Sequence, residues 1–203
     1  MKSTLINMIL SLGVITIVAA AALAGVYTLT EEPIAQAKAQ KQKDAIGQVL
    51  PGIDFNNNPA EEAMEITIDA TTGATAAAGE GETVTVFPAR QDGKLVGAAV
   101  ESHDSNGFSG LITVMYGFNA DGDITGYAVM QHAETPGLGS KMGEWFCNPA
   151  HSIVGLNAKS ANLTVSKDGG DVDAITAATI SSRAFLRALT LANSAFEQIN
   201  AQQ

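Results

Sequence analysis

The strongest constraint on this chain is a run of 25 residues, Leu5 to Leu29, that contains no charged side chain and is almost wholly apolar. At about 1.5 Å per residue, a helix of this length exceeds the roughly 30 Å hydrocarbon core of a bilayer. The sequence therefore predicts a transmembrane anchor over residues 1–29. A cleaved signal peptide is the alternative, because Ala22-Leu23-Ala24 resembles a cleavage site. However, signal peptides have shorter apolar runs, of about 7–15 residues, and usually a more basic start than Lys2 provides.

The charge of the chain limits its partners. The formal net charge is −10, whereas nucleic acids and anionic lipid surfaces are bound through basic patches. We therefore expect no nucleic acid partner, and we expect contact with membrane lipid only through the anchor.

Several single residues that could carry chemistry are assigned structural roles instead. Cys147 is the single cysteine, which excludes an intrachain disulfide or a cysteine-rich metal site, and we expect a buried or half-buried thiol. His132 has no second ligand at a suitable spacing, so no metal site is predicted. Trp145 and Phe146 are expected to be core or rim aromatics.

A helical stalk is predicted after the anchor, over residues 30–52. Thr30 suits a helix N-cap, the three residues after it suit a first turn, and Pro51-Gly52 would end the helix. Residues 53–203 then form the folded domain. Lysines occur on both sides of the apolar run, so the positive-inside rule does not determine the orientation of the anchor.

An internal repeat predicts a sheet. DGKLVGAAV (residues 92–100) aligns with DGDITGYAV (residues 121–129), and each copy places Asp-Gly between alternating apolar runs, the pattern of a tight hairpin. Two similar hairpins indicate one antiparallel sheet. Its predicted strands are Thr83–Pro88, Leu95–Ser102, Leu111–Phe118 and Ile124–Gln131, with a further short strand at Met64–Ile68.

A last helix is predicted from about Thr179 to Asn200. Its apolar residues recur at i, i+4, i+7, i+11 and i+14, which places them on one face: Phe185, Leu189, Ala192, Phe196 and Ile199. The fold class is therefore α+β, an antiparallel sheet with packed helices.

The segment DAITAATISS (residues 173–182) concentrates hydroxyl groups at the first turn of that helix. Free N–H groups and the positive end of the helix dipole make such a turn suitable for a phosphate. The structural alternative is a plain capping segment, with Asp173 or Thr176 as the N-cap. A near copy, DATTGATAAA (residues 69–78), has no helical apolar stripe behind it and is most simply a small-residue loop.

Two glycine-containing stretches are further candidates for a ligand site. HAETPGLGSK (residues 132–141) follows a predicted strand, and its Pro and Gly residues form a loop where backbone can approach a flat ligand. Glu134 and Thr135 add polar groups at the mouth of this loop. GFSGLI (residues 107–112) is a glycine-flanked turn entering a strand, which alone is a weak indication.

The order of these motifs resembles a known family. The apolar run is followed by VLPG (residues 49–52), GFSG (107–110), ETPGLG (134–139) and TAATISSRA (176–184). This order is similar to the G subunit of the Rnf electron-transport complex, a membrane-anchored FMN-binding domain. The resemblance covers nearly the whole chain, and ETPGLG with the threonine-rich stretch some 40 residues later is its most specific part.

The resemblance implies FMN joined through its phosphate to the hydroxyl of Thr179, the last residue of a Ser/Thr-Gly-Ala-Thr motif. Ala177 replaces the usual glycine, and its methyl group could slow attachment. Thr75 ends the earlier copy, which has the glycine at Gly73, but that copy precedes ETPGLG and has Ala77 where the later one has a serine. Further cofactor contacts are implied for Thr176, Ala177, Ala178, Ser181, Ser182, Glu134, Thr135, Gly137, Leu138 and Gly139.

The resemblance also implies partners and a location. The chain would be an electron-carrying subunit of a redox-driven ion translocase that moves electrons between ferredoxin and NAD⁺, not a complete enzyme alone. Other Rnf subunits and a flavin transferase would be its partners. It would cross the cytoplasmic (inner) membrane once, with the FMN domain on the extracytoplasmic side. Two alternatives stay open: the similar C subunit of sodium-translocating NADH:quinone reductase, and a non-redox assembly module that has lost the flavin.

Overall fold

The chain begins with one long helix, α1, from Lys2 to Val49. The computed structural model describes residues 2–69 and 81–201. Within them, α1 is the one helix long and apolar enough to cross a membrane, with a mean hydropathy of 2.5 in its most apolar stretch. Internal contacts divide the chain into two compact units, Met1–Gln42 and Lys43–Gln203. The last turns of α1 belong to the second unit.

The prediction that a separate helix starts at Thr30 is wrong. The Thr30 hydroxyl donates to the carbonyl oxygens of Val26 (2.8 Å) and Tyr27 (3.2 Å) within α1, so it does not act as an N-cap acceptor. Pro33 lies inside the helix, where its missing N–H removes one helical hydrogen bond. The helix ends as predicted, just before Pro51-Gly52, where Gly52 has a φ of 73°.

Five antiparallel strands form one sheet in the order β1-β2-β3-β4-β5, which confirms the predicted sheet. Asp92 and Gly93 both have positive φ at the β2–β3 turn, as a tight hairpin requires. The earlier threonine motif lies between β1 and β2, and its residues 70–78, Thr75 included, are outside the described residues. The strands are β1 Met64–Ile68, β2 Glu82–Gln91, β3 Lys94–Gly107, β4 Gly110–Asn119 and β5 Ile124–Gln131.

Both faces of the sheet are covered. Helix α3, Thr179–Asn200, packs on one face through its predicted apolar stripe, which is buried along its length. Successive residues of a strand point to opposite faces, so Val86 packs toward α3 while its neighbour Phe87 packs toward the end of α1. The residues of α1 and the turn after it in that second core are Ala45, Ile46, Val49 and Leu50. The α+β fold is therefore confirmed.

Two buried hydroxyl groups fix α3 on the sheet. The Tyr116 hydroxyl donates to the Phe185 carbonyl oxygen and the Ser102 hydroxyl to that of Ala188, both at 2.7 Å. The Phe185 ring also stacks on Phe146 with centroids 4.4 Å apart. These contacts hold the middle of α3, and therefore the position of its first turn, relative to the strands.

The segment between β5 and α3 contains little regular structure. It includes the short helix α2, Met142–Trp145, and two 3-10 turns, Gly139–Lys141 and Ser166–Asp168. Phe146 is a buried core residue and Trp145 a partly buried one packed on the core, as predicted. Cys147 is exposed, so the expectation of a buried or half-buried thiol is wrong: it lies just past the end of α2, and its thiol donates to the Glu144 carbonyl oxygen at 3.3 Å.

Candidate functional site

Three segments that are distant in sequence meet at one cavity of about 280 Å³. They are the turn between β3 and β4, the loop after β5, and the first turn of α3. The lining has more apolar than polar surface, which is typical of a site for a flat organic ligand with a few polar contacts. Its residues are Phe108, Glu134, Thr135, Leu138, Gly139, Ala177, Ala178, Thr179, Ile180 and Ser181.

Glu134 joins the three segments. Its side chain is only 4% exposed. One carboxyl oxygen accepts the Ser109 backbone N–H at 2.9 Å, and the other accepts the Ser181 hydroxyl at 2.6 Å. A buried polar group with both oxygens paired is stabilising, whereas the same group unpaired would be costly. Glu134 therefore holds the β3–β4 turn and the start of α3 against its own loop.

Two glycines make room for this side chain. A Cβ atom on Gly107 would lie 2.7 Å from Glu134 Oε1, and one on Gly139 would collide with Glu134 and with the Ser181 hydroxyl. Neither position can hold a larger residue without displacing the carboxyl group. Gly107 of GFSG and Gly139 of ETPGLG are thus required by close packing around Glu134.

The start of α3 has no side-chain cap. Its N-cap residue is Ala178, so the prediction of Asp173 or Thr176 as N-cap is wrong. Asp173 Oδ1 instead accepts the Ser166 hydroxyl at 3.1 Å, which turns it away from the helix end. The first N–H groups of a helix have no partner inside the helix, so these donors remain for another acceptor beside the cavity.

Ala177 has a φ of 62°, in the left-handed region. This conformation costs an L-residue roughly 1–2 kcal/mol relative to glycine. It directs the chain from the exposed Thr176 into α3, and it explains in physical terms why glycine suits this position of the motif.

Thr179 is half-buried at the rim of the cavity. Its Oγ1 lies 3.5 Å from Lys167 Nζ. The residue after this lysine, Asp168, accepts two hydrogen bonds from Arg183, at 2.7 and 2.8 Å. These bonds lower the pKa of Asp168 below its usual value and raise that of Arg183.

Known proteins with a similar sequence share one description. Residues 107–193 match the family model described as an FMN-binding domain, and residues 1–49 match the RnfG N-terminal region. The chain is 34% identical to the G subunit of the ion-translocating oxidoreductase complex of Escherichia coli K12, covering 88% of this chain and 84% of that one. It is 33% identical to the corresponding G subunit of Methanosarcina acetivorans, covering 97% and 95%.

This chain belongs to the Rnf G-subunit family. A crystal structure of the C subunit of the sodium-translocating NADH-quinone reductase from Parabacteroides distasonis has a similar fold, with a TM-score of 0.50 and 19% identity. That comparison covers 82% of this chain and 94% of the other. At this identity it supports the fold alone.

In this member of the Rnf G-subunit family, most of the residues predicted for the site line the cavity, but three do not. Thr176 lines a different cavity. The Gly137 N–H donates to Ser140 Oγ at 2.9 Å in the loop turn. Ser182 is fully buried, and its hydroxyl accepts the Ile175 N–H and donates to the Ala178 carbonyl oxygen. Gly137 and Ser182 therefore shape the backbone around the site instead of lining it.

Two lining residues of this Rnf G-subunit family member, Phe108 and Ile180, were not among the individual residues predicted for the site, although the GFSGLI stretch that contains Phe108 was a weak candidate. Phe108 is 67% exposed although it is a large apolar residue, and it occupies a two-residue turn between Gly107 and Gly110. An aromatic residue in so short a turn cannot pack in the core beneath it. That position was the available indication that Phe108 lines a cavity instead of the core.

The second cavity, of about 460 Å³, also reaches the threonine segment. Trp145 and His151 stack there with ring centroids 4.3 Å apart, and Trp145 Nε1 donates to the Asp173 carbonyl oxygen at 3.0 Å. Ala177 lines both cavities. Over residues 2–69 and 81–201, no group of three or more His, Cys, Asp or Glu side chains could hold a metal ion.

Proposed function

We propose that this chain is the electron-carrying subunit of a membrane ion-translocating oxidoreductase complex and holds FMN through a phosphoester to Thr179. The observation that carries the proposal is the position of Thr179, on the uncapped first turn of a long helix and at the rim of a largely apolar cavity. The matched FMN-binding domain model spans all three segments that form this cavity. Membership of the Rnf G-subunit family supports the role in the complex.

The residues present fit both ends of the cofactor. The uncapped N–H groups of α3 and its dipole favour a phosphate at Thr179. Three exposed apolar side chains at the cavity, Phe108, Leu138 and Ile180, suit an aromatic ring system. When bound, the flavin supplies the one- and two-electron chemistry, while the protein supplies position and electrostatics.

Attachment would use the Thr179 hydroxyl as the acceptor of a flavin phosphate. Thr179 Oγ would form a new bond to phosphorus while the pyrophosphate bond of a flavin dinucleotide breaks and its nucleoside monophosphate leaves. The hydroxyl proton would pass to a base of a separate flavin transferase. No oxidation or reduction occurs in this step. In this transfer the chain itself supplies only an accessible hydroxyl, which the half-buried Thr179 provides.

The remaining parts of the proposal concern the membrane complex. Helix α1 would be a single-pass anchor in the cytoplasmic membrane, with the FMN domain on the extracytoplasmic side. Electrons between ferredoxin and NAD⁺ would pass through this chain, which docks on other Rnf subunits and is not a complete enzyme alone. The family match of residues 1–49 supports an anchor of this type.

Peptide mass spectrometry on protein co-expressed with a flavin transferase tests the attachment site. Thr179→Ala should remove covalent FMN completely, whereas Thr75→Ala, the matched control in the earlier copy of the motif, should retain it. FMN on the Thr75 peptide would contradict the assignment of Thr179. A colourless parent protein without covalent flavin would instead favour a non-redox assembly module.

A further inference from the structure

We propose that Lys167 is the cation that pairs with the phosphate on Thr179. This inference rests on the proposed function, because it concerns the charge of that phosphoester. Lys167 Nζ lies 3.5 Å from Thr179 Oγ1, at the outer limit of a hydrogen bond. A phosphorus atom bonded to this oxygen carries its negatively charged oxygens one bond further, within reach of the flexible lysine side chain.

The backbone that carries Lys167 is fixed against the threonine segment. Lys167 lies in the 3-10 turn Ser166–Asp168. The Ser166 hydroxyl donates to Asp173, and Asp168 accepts two hydrogen bonds from Arg183 of α3. The buried Val165 before the turn bridges to Val172. Lys167 is therefore held beside the first turn of α3 and not on a free loop.

Lys167 is the cation near Thr179 that is available to pair with an anionic ligand. Arg183, the other nearby cation, is occupied by its two hydrogen bonds to Asp168. In the described part of the chain, Lys167 forms no ion pair, and its hydrogen bond goes to a neutral hydroxyl. Esterification would convert this hydroxyl into an anionic diester, and charge-assisted hydrogen bonds are stronger than neutral ones.

A compensating cation is needed because the surroundings are acidic. The chain has a formal net charge of −10, and Glu134 and Asp173 belong to the segments around Thr179, in addition to Asp168, which Arg183 pairs. A new negative charge near these carboxyl groups would be unfavourable without a partner. The helix N–H groups contribute partial positive charge, whereas Lys167 contributes a full one.

The first experiment measures covalent flavin incorporation by in-gel fluorescence with purified flavin transferase. The variants are Lys167→Ala, Lys167→Arg and, as control, Lys159→Ala, since Lys159 is an exposed lysine that lines neither cavity. We expect Lys167→Ala to lower the rate about threefold at low ionic strength, as for one exposed ion pair. Lys167→Arg should retain the parent rate. High salt should reduce the difference in rate between Lys167→Ala and the parent, because salt screens the ion pair.

The second experiment separates a contact with the phosphate from a contact with the transferase. Each variant is loaded to completion, and the ³¹P resonance of the phosphodiester is recorded in the folded protein. Lys167→Ala should shift this resonance from the parent position, while Lys159→Ala should leave it unchanged. An unshifted resonance in Lys167→Ala would overturn the proposal, even if its loading were slow, because the lysine would then serve only the transferase.

Failure of this inference is distinguishable from failure of the proposed function. If the parent protein acquires no flavin on Thr179, the proposed function fails and no ³¹P resonance exists to compare. If the parent is loaded on Thr179 and Lys167→Ala matches Lys159→Ala in both rate and resonance, only the role of Lys167 is wrong. Thermal unfolding of the unloaded variants confirms that each one folds.

Discussion

The Ser181 hydroxyl donates a 2.6 Å hydrogen bond to Glu134 across 47 residues of sequence. Because the other Glu134 oxygen accepts the Ser109 N–H, Glu134→Ala would leave two donors without their partner. We expect this change to lower the free energy of unfolding by about 2–3 kcal/mol, measured by urea denaturation of the unloaded protein.

Glu134→Gln keeps the shape of the side chain and one acceptor oxygen, so it should lower the free energy of unfolding by less than Glu134→Ala. Thr135→Ala, at the exposed neighbouring position, is the control and should change stability by less than about 0.5 kcal/mol. Equal stability of Glu134→Ala and Thr135→Ala would show that Glu134 does not join the three segments.

Ala177→Gly should stabilise the protein by about 0.5–1 kcal/mol. Glycine adopts the positive φ without strain, and this gain exceeds the cost of the greater entropy that glycine gives to the unfolded chain. Covalent loading at Thr179 should also become faster. Ala178→Gly is the control: its φ of −133° is ordinary, so this change should destabilise. A loss of stability in Ala177→Gly as large as in Ala178→Gly would contradict the argument from φ.

Loading with FMN should raise the free energy of unfolding of the protein. In Phe108→Ala this increase should be smaller by about 1 kcal/mol, the contribution of one aromatic contact. The measurement compares urea midpoints of loaded and unloaded protein. Leu111→Ala is the control, because Leu111 is exposed nearby on β4 but does not line the cavity. A loaded-minus-unloaded difference that is the same in both variants would exclude contact between Phe108 and the flavin.

Gly117→Ala should destabilise the second unit by about 1–3 kcal/mol through overpacking. A Cβ atom at Gly117 would collide with the Val49 carbonyl oxygen at the end of α1, the same oxygen that accepts the Thr125 hydroxyl. Gly143→Ala is the control, since no atom outside its chain neighbours and the backbone of α2 lies within 4 Å of its added Cβ. Thermal unfolding of both variants measures the effect, and similar melting temperatures would refute the close packing.

Stability should depend on pH through the pair Asp104–Arg187, which links β3 to α3 at 2.7 Å. Partial burial acts to raise the pKa of Asp104, but hydrogen bonds from Arg187 and Asn106 hold it below its usual value. The ion pair therefore makes its full contribution to the free energy of unfolding above the pKa of Asp104 in the unfolded chain, about 4. This contribution is lost as the pH falls through the lower pKa of Asp104 in the folded protein.

Asp104→Asn should consequently cost about 1 kcal/mol near neutral pH and little at a pH below the folded pKa. Urea denaturation across this range measures the difference. Glu62→Gln, which removes the negative charge of the 3.5 Å ion pair with Arg90, serves as the control. A deficit of Asp104→Asn that persists unchanged in acid would exclude the ion pair as its cause.

The regular elements could be predicted from the sequence because they follow from local periodicity. The stripe from Phe185 to Ile199 specified α3, and the alternating apolar residues around Asp92-Gly93 specified a hairpin. The boundary at Thr30 could not be predicted, because a favourable capping residue is also tolerated inside a helix. The exposure of Cys147 likewise depends on where α2 ends on the folded surface.

The sequence by itself determined an apolar helix long enough to span a bilayer, an antiparallel sheet, the last helix and the motif order of the Rnf G-subunit family. Only the tertiary structure decided that Glu134 bridges Ser109 and Ser181, that Phe108 lines the cavity, and that Lys167 lies beside Thr179. The physical reason is range. Helical hydrogen bonding and hydrophobic periodicity act between near neighbours along the chain, whereas these contacts exist only after the sheet and α3 pack together.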